Sequence, residues 1–184
     1  ALVPLPAGKV LVAGAFSHIG GTAAGNLARL DATLAVDATF NAGAAGASST
    51  VTAATLLGDG RIVIAGDFFL YNGASVSRLA RLSASGALDT SFAPGNGPFG
   101  GSINAVASLP GGRLFVAGGI AGYHGVTRGG IVRVHASGAL DADFSAGSDA
   151  LTVNALALGP DGRPIVGGNF SALNGTPRGN FARL

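Results

Sequence analysis

Short apolar runs recur along the whole chain and are separated by glycine-rich turns. Residues 10–13 and 62–65 are almost continuously apolar and rich in β-branched side chains, which predicts strands buried on both faces. Residues 103–107 and 153–157 form further short apolar runs, and each leads into a turn. No segment shows helical periodicity with capping residues. The pattern therefore predicts an all-β chain.

The turns between these runs carry hairpin signals. Asp59-Gly60 and Asp161-Gly162 each separate two apolar runs. Asp-Gly is a preferred pair for a type I′ turn, in which both central residues have positive φ. Asn72-Gly73 lies in the loop that follows, and the polar turn Ser85-Gly86 comes after the next strand. This order predicts three or four short antiparallel strands per unit.

Four copies of one unit, about 52 residues long, account for this order. An arginine-containing strand begins at residues 27, 79, 131 and 181, at spacings of 52, 52 and 50. Other residues keep the same offsets: Gly8, Gly60, Gly112 and Gly162; Gly14, Gly66, Gly118 and Gly168; Asp37, Asp89 and Asp141; Phe40, Phe92 and Phe144. We predict a single repeat domain, 1–184, with repeats at 1–48, 49–100, 101–150 and 151–184, the last one truncated.

A unit of this length with three or four antiparallel strands is typical of a β-propeller blade, which buries its faces against neighbouring blades. We therefore predict a β-propeller or partial propeller of four glycine-rich blades. The last copy lacks its Leu-Asp-x-x-Phe segment, so we expect part of a longer chain or a ring completed by a partner, with a closed four-bladed ring as the alternative. The alternative fold is a parallel β-helix, which usually has a shorter period.

The composition excludes several kinds of site and partner. Because the chain has no Cys, it has no disulfide and no thiolate metal site. Its net charge is +2 and its arginines are spread evenly, whereas nucleic-acid-binding proteins usually cluster Lys and Arg. The chain contains no run of about 18 apolar residues, the length that predicts a membrane-spanning helix. We expect neither a nucleic-acid partner nor membrane insertion.

The repeated arginines have two interpretations. They could bind an anionic ligand, but a residue that recurs once per blade is more often part of the framework. We predict that each arginine pairs with the repeated aspartate of the same or an adjacent blade and braces the turn between them. The arginines are Arg29, Arg81, Arg133 and Arg183, and the aspartates are Asp37, Asp89 and Asp141.

The remaining candidates for chemistry favour structural roles. Asp141 and Asp143 lack the glycine and the distal carboxylate of an EF-hand loop. His18, His124 and His135 show no metal-binding spacing. The chain has no Gly-x-Ser-x-Gly nucleophile elbow and no phosphate-binding loop. We expect no enzymatic activity, no cofactor and no metal.

The repeat pattern resembles a known family. Its elements are Pro-Asp-Gly-Arg, a Gly-x-Phe after the next strand, Asn-Gly, Ala-Arg-Leu and Leu-Asp-x-x-Phe, best preserved in 58–95 and 158–184. This pattern resembles the bacterial delta-60 repeat family, although the third copy has Ile120 and His124 at two of its positions. The resemblance implies β-propeller-like modules of large exported or surface proteins. It therefore implies an extracellular, periplasmic or cell-surface location.

These observations favour a non-catalytic structural or interaction module that presents variable loops to a protein partner in a larger assembly. Exposed aromatic side chains in those loops would suit an interface. The candidate contact residues are Phe69, Tyr71, Asn72, Tyr123, His124, Leu173 and Asn174. A lectin-like propeller that binds a glycan is the alternative, since Asn72 and Asn174 recur in the loops. An enzyme built on a propeller is a third possibility, but it requires catalytic residues that the pattern does not contain.

Overall fold

The computed structural model describes residues 1–147 and 151–184, so residue 150, the predicted end of the third repeat, lies outside the described residues. In the described part, regular structure consists of strands and two short 3-10 turns, Pro6–Gly8 and Pro110–Gly112. Neither turn has the length or the apolar surface that a membrane crossing requires. The chain divides into two compact units, Ala1–Thr90 and Ser91–Leu184.

The first unit contains two three-stranded antiparallel sheets and two small hairpins. One sheet has the order β1-β2-β5 and the other β6-β7-β10, while β3 pairs with β4 and β8 with β9. The strands are β1 (Leu2–Pro4), β2 (Val10–Ala13), β3 (His18–Ile19), β4 (Thr22–Ala23), β5 (Leu27–Leu30), β6 (Val51–Leu56), β7 (Ile62–Gly66), β8 (Leu70–Tyr71), β9 (Ala74–Ser75) and β10 (Leu79–Leu82).

The second unit repeats this plan. One sheet joins β11, β12 and β14, with β13 forming a hairpin on the far end of β12. The other has the order β15-β16-β19, and β17 pairs with β18. The strands are β11 (Pro98–Ser108), β12 (Leu114–Tyr123), β13 (Val126–Thr127), β14 (Ile131–Val134), β15 (Thr152–Leu158), β16 (Pro164–Asn169), β17 (Ala172–Leu173), β18 (Thr176–Pro177) and β19 (Phe181–Arg183).

A short outer segment completes three of the four sheets. β5, β10 and β14 each form a single bridge, to Val36, Leu88 and Leu140 respectively. The residue after each bridge is the repeated aspartate. Each of these sheets therefore has three strands and the beginning of a fourth, in agreement with the predicted number of strands per unit.

A recurring bulge explains one set of repeated glycines. The pairing register shifts between Val51 and Ala53 in β6, and the same shift occurs in β11 and β15. The bulged backbone approaches the facing strand so closely that a Cβ on Gly66 would lie 2.1 Å from the carbonyl oxygen of Thr50. Gly118 and Gly168 have the same restriction, at 2.0 Å. Close backbone approach is a characteristic role of glycine within a strand.

A type I′ turn lies in the β8-β9 hairpin and not at the predicted position, Asp59-Gly60. Gly60 has a φ of 83°, but Asp59 does not have a positive φ. The amide of Gly60 donates to the carbonyl of Leu57, as expected for a three-residue loop that ends in a left-handed glycine. In the β8-β9 hairpin both central residues are left-handed, with φ of 50° at Asn72 and 80° at Gly73. The segment expected to be a loop is therefore itself a tight hairpin.

Each unit has an apolar core between its two sheets. Leu11, Ile62 and Ile64 belong to the core of the first unit, and Phe115 and Val153 to that of the second. β7 is buried on both faces, as predicted. β2 is not: its Leu11 face packs in the core, whereas Val10 and Val12 are only half buried. The prediction of two buried faces is therefore wrong for β2.

Candidate interaction surface

The arginine of each complete repeat pairs with the aspartate eight residues later in the same repeat. The pairs are Arg29 with Asp37 at 2.9 Å, Arg81 with Asp89 at 2.7 Å and Arg133 with Asp141 at 2.6 Å, from arginine Nε to aspartate Oδ2. The predicted bracing role is confirmed for these three arginines. The aspartate carboxylates pair with the guanidinium groups that an anionic ligand would otherwise bind.

A backbone hydrogen bond completes each brace, and a phenylalanine does so in the first and third repeats. In the third repeat, the amide of Asp141 donates to the carbonyl of Arg133 at 2.9 Å, so the ion pair closes the turn between two strands. The Arg133 guanidinium lies 5.3 Å from the centre of the Phe144 ring, within the range of a cation–π interaction. The hydrogen bond from Arg133 holds the pKa of Asp141 below its ordinary value. Asp141 thus forms part of the framework and not a candidate metal site.

Arg183 has a different partner from the other three arginines. Its guanidinium donates to Asp161, which lies in the hairpin turn between β15 and β16. A pair with one of the repeated aspartates was predicted, so that part of the prediction is wrong for Arg183. Both side chains of this pair are substantially exposed, and exposed ion pairs contribute little to stability.

Asn72 and His124 hold the loop that precedes their own blade. Asn72 Oδ1 accepts the amide of Gly46 at 2.7 Å, and the Asn72 amide nitrogen donates to Asn41 at 2.6 Å. His124 Nδ1 accepts the amide of Asn96 at 3.0 Å. These polar atoms, predicted to contact a partner, therefore form hydrogen bonds inside the chain. Asn174 has the same left-handed conformation, with a φ of 51°.

Tyr71 and Tyr123 are core residues. Both are fully buried, and their hydroxyls donate to the carbonyls of Gly86 and Gly138 at 2.7 and 2.6 Å. Burial raises the pKa of both phenols above the ordinary value. Leu173 is also buried. The expectation of exposed aromatic side chains is therefore wrong for Tyr71 and Tyr123. In β8, alternation along the strand exposes Leu70 and buries Tyr71.

Phe69 is the one predicted contact aromatic that the structure exposes, at 63%. Its neighbour Leu70 is 43% exposed, on the opposite face of β8 from Tyr71. The amides of Phe69 and Leu70 both donate to Ser48 Oγ, at 3.3 and 3.1 Å, so the backbone of the pair is held in place. Sequence reasoning missed Leu70, although alternation along β8 could have identified it.

The second unit exposes a comparable apolar pair. Phe99 and Val126 are 37% and 41% exposed. On β12, Phe99 pairs with Gly122 and Val126 pairs with the next residue, Tyr123. A Cβ on Gly122 would lie 2.5 Å from the Phe99 ring, so this glycine leaves space for the aromatic side chain. Neither residue was predicted, because Phe99 lies in the glycine-rich beginning of β11, where the sequence shows no apolar run.

The second unit also contains an open cleft of about 900 Å³. Phe115, Arg133 and Phe144 of the third repeat line one part of it, and Asp161 and Leu184 of the fourth repeat line another. Across residues 1–147 and 151–184, no group of three His or Asp side chains is arranged to hold a metal ion.

Two solved structures share the fold. The extracellular domain of a one-component system from B. thetaiotaomicron matches 90% of this chain with a TM-score of 0.54 and 11% identity. A second structure of the same protein, BT4673, described as the extracellular domain of a hybrid two-component system, matches 99% with a TM-score of 0.55 and 12% identity. This chain spans about a fifth of their length, 19% and 21% respectively. A search of curated proteins finds no match.

Four segments of the chain, 5–40, 57–92, 109–144 and 159–184, match one family model, described as a domain of unknown function (DUF5122) beta-propeller. Their starting points reproduce the spacing of the repeat. The prediction of an all-β chain built from four propeller blades is confirmed, and the chain belongs to this β-propeller family.

Proposed function

We propose that this chain is a non-catalytic interaction module of a larger extracellular or periplasmic protein, and that it binds a protein partner. The framework supports this role because the repeated polar side chains are used inside the blades. Arginine pairs with aspartate, and Asn72 and His124 bind neighbouring loops. At the β8-β9 hairpin, the large side chains that remain accessible are those of Phe69 and Leu70.

The exposed pair Phe69 and Leu70 carries the proposal. The corresponding residues of the other blades are Ser17 with His18, Ala121 with Gly122 and Ser171 with Ala172. At these two repeat positions, the second blade alone carries large apolar side chains. Ser48 fixes their backbone, which lowers the conformational entropy lost on binding. A rigid aromatic residue beside an aliphatic one is typical of the energetic centre of a protein interface.

The extracellular location is part of the same proposal. The structural relative is described in both of its structures as an extracellular domain, and the delta-60 resemblance implies exported proteins. The carbohydrate-binding alternative has less support, because it requires asparagine side chains in the loops that are available to a glycan. Asn72 makes its hydrogen bonds within the chain, and both tyrosines are buried.

A photo-cross-linking experiment tests the proposal. A photoreactive residue at position 69 in the protein of the native source is expected to capture a specific protein, which mass spectrometry identifies. The purified partner should then bind Phe69→Ser/Leu70→Ser at least about tenfold more weakly than wild type, as expected from loss of a central contact.

Leu34→Ser is the matched control. Leu34 is also exposed, at 68%, and lies in a different turn of the same unit. The control variant should retain wild-type affinity. A native protein that remains a free monomer without cross-links from position 69 would contradict the proposal. An affinity that is equal in the double variant and in wild type would also contradict it.

A further inference from the structure

The second blade contains an ion pair that the other blades lack. Arg78 Nη2 donates to Asp67 Oδ1 at 2.9 Å. The residues at the position of Asp67 in the other repeats are Ala15, Gly119 and Asn169, and those at the position of Arg78 are Asn26, Gly130 and Asn180. Three blades therefore form without this pair, so it is not part of the common framework.

Arg78 has a backbone conformation that arginine rarely adopts. Its φ is 64°, and the φ at the matching positions is 65° at Asn26, 63° at Gly130 and 61° at Asn180. Asparagine and glycine enter this left-handed region with less strain than arginine does. Residues strained in this way cluster at ligand-binding and catalytic sites. The second blade thus departs from the common plan at a structural cost, and the result is a carboxylate held in place by a guanidinium.

Asp67 lies beside the exposed pair Phe69 and Leu70. Phe68 is fully buried, so the exposed side chains on either side of it, Asp67 and Phe69, both point away from the core. The amide of Asp67 donates to the carbonyl of Thr50 at 2.9 Å, which fixes the backbone just before the pair. Residues two apart have Cα atoms within about 7 Å. One segment of a partner can therefore contact the carboxylate and the phenyl ring together.

Asp67 provides the exposed charge at this end of the first unit. The three loops here, 15–26, 41–50 and 67–78, contain two charged residues when histidine is neutral, Asp67 and Arg78. The Asp67 side chain is 50% exposed and that of Arg78 is 11% exposed. A segment that docks here meets a negative charge beside two apolar side chains. This arrangement favours a partner with a positive charge at the matching position.

Another aspartate of the same unit shows how one carboxylate binds two cations. Asp89 Oδ2 lies 2.7 Å from Arg81 Nε and 3.0 Å from Arg61 Nη1. Asp67 pairs only with Arg78 within the described part of the chain, and this pair uses Oδ1. Its Oδ2 is therefore available to a second cation.

We propose that Asp67 binds a lysine or arginine side chain of the protein partner, while adjacent apolar residues of the same partner segment pack on Phe69 and Leu70. Arg78 is a positioning residue, because it holds one carboxylate oxygen and leaves the other to the partner. This site rests on the proposed function and defines the chemistry of its partner, a segment with a basic residue next to a large apolar one. The charge selects the partner, and the apolar contact supplies most of the affinity.

Selection of random displayed peptides on the full chain tests the site. Counter-selection on Phe69→Ser/Leu70→Ser removes peptides that bind elsewhere, and the remaining peptides are expected to carry lysine or arginine beside an aromatic or aliphatic residue. In calorimetry with one such synthetic peptide, Asp67→Asn should weaken binding at least about tenfold, because a charge-assisted pair is lost. Glutamine in place of the basic residue of the peptide should cause the same loss. The two changes together should cause no further loss.

Asp67→Asn is compatible with the fold, because Asn169 occupies the matching position of the fourth blade. Asp59→Asn is the control, since the Asp59 side chain is 48% exposed and also pairs with an arginine, Arg61. It should change the affinity less than about twofold. Peptides that require the exposed apolar pair but carry no basic residue, or bind Asp67→Asn as tightly as wild type, overturn the proposal for Asp67 and leave the proposed function standing. Failure to select any peptide that requires the apolar pair contradicts both.

Discussion

At the scale of single residues, the repeated glycines of this chain have two separate causes. Gly73 lies in a type I′ turn, where its φ of 80° excludes most other residues. Gly66 does not have a positive φ, and the restriction there is space, because the bulged strand passes beside it. The two kinds of glycine look alike in the sequence, so only the backbone of the facing strand distinguishes them.

Gly66→Ala tests the spatial restriction. The new Cβ would lie 2.1 Å from the carbonyl oxygen of Thr50, so the bulge must move. We expect a loss of about 2–3 kcal/mol in the free energy of unfolding, as for other cases of overpacking. Urea denaturation followed by circular dichroism measures this loss.

Gly58→Ala is the control in the same blade. A Cβ there meets nothing within 4 Å and the residue does not have a positive φ, so we expect a change of less than about 0.5 kcal/mol. Equal denaturation midpoints for the two variants would show that the close approach at Gly66 has no energetic consequence.

The sequence predicted residue roles unevenly. The offset of eight residues between arginine and aspartate was sufficient to predict the ion pairs, because both residues recur together. Asn72 was expected in a contact loop, and its bond to Gly46 joins residues 26 positions apart. Spacing within one repeat contains no information about such a contact. Tyr71 is buried because it belongs to the two-residue strand β8, and the sequence pattern assigns this segment to a loop.

At the scale of the element, the brace combines an ion pair, a backbone hydrogen bond and an aromatic contact. In the third repeat, Phe144 lies over Arg133 and meets Phe115 edge-on, with ring centres 5.0 Å apart. The brace therefore connects the outer turn of a blade to the apolar core. This connection explains why arginine, aspartate and phenylalanine recur together, since removal of one leaves the other two without their partner.

Arg81→Ala tests the brace. Arg81 is only 4% exposed and its Nε lies 2.7 Å from Asp89. Its removal leaves the carboxylate of Asp89 with Arg61 as its remaining ion-pair partner, at 3.0 Å. We therefore expect a loss of about 1–2 kcal/mol in the free energy of unfolding. A double-mutant cycle with Asp89→Ala measures the coupling between the two side chains, which should be positive.

Arg163→Ala is the comparison for this cycle. The Arg163 side chain is 68% exposed and its ion pair with Asp161 is solvent-accessible, so we expect a loss below about 0.5 kcal/mol. A melting temperature of Arg81→Ala equal to that of wild type would contradict the bracing role.

At the scale of the whole molecule, the repeat period was sufficient to predict four blades, but not the two compact units. Each unit contains two blades and its own core. All four copies follow one pattern, so the pattern alone does not indicate where contacts between copies are dense.

The two tyrosines provide a reporter for each unit, since Tyr71 belongs to the first and Tyr123 to the second, and the chain has no Trp. Burial raises the pKa of both above the ordinary value of 10.0, so the folded state favours the protonated phenol. Their contribution to stability is therefore complete below pH 10 and is lost as the pH rises towards the higher folded value. We expect phenolate absorbance to appear only together with the loss of the circular dichroism signal of the sheets.

Single variants separate the two reporters. Tyr71→Phe leaves only Tyr123, so its alkaline titration follows the second unit, and Tyr123→Phe follows the first. Each variant also leaves a glycine carbonyl, of Gly86 or Gly138, without its phenol donor, which should cost about 1–2 kcal/mol. Phenolate absorbance with a midpoint near pH 10 in a chain that keeps its native circular dichroism would mean that the phenol is accessible. In that case the tyrosine of that unit would belong to the contact surface, as first predicted, and not to the core.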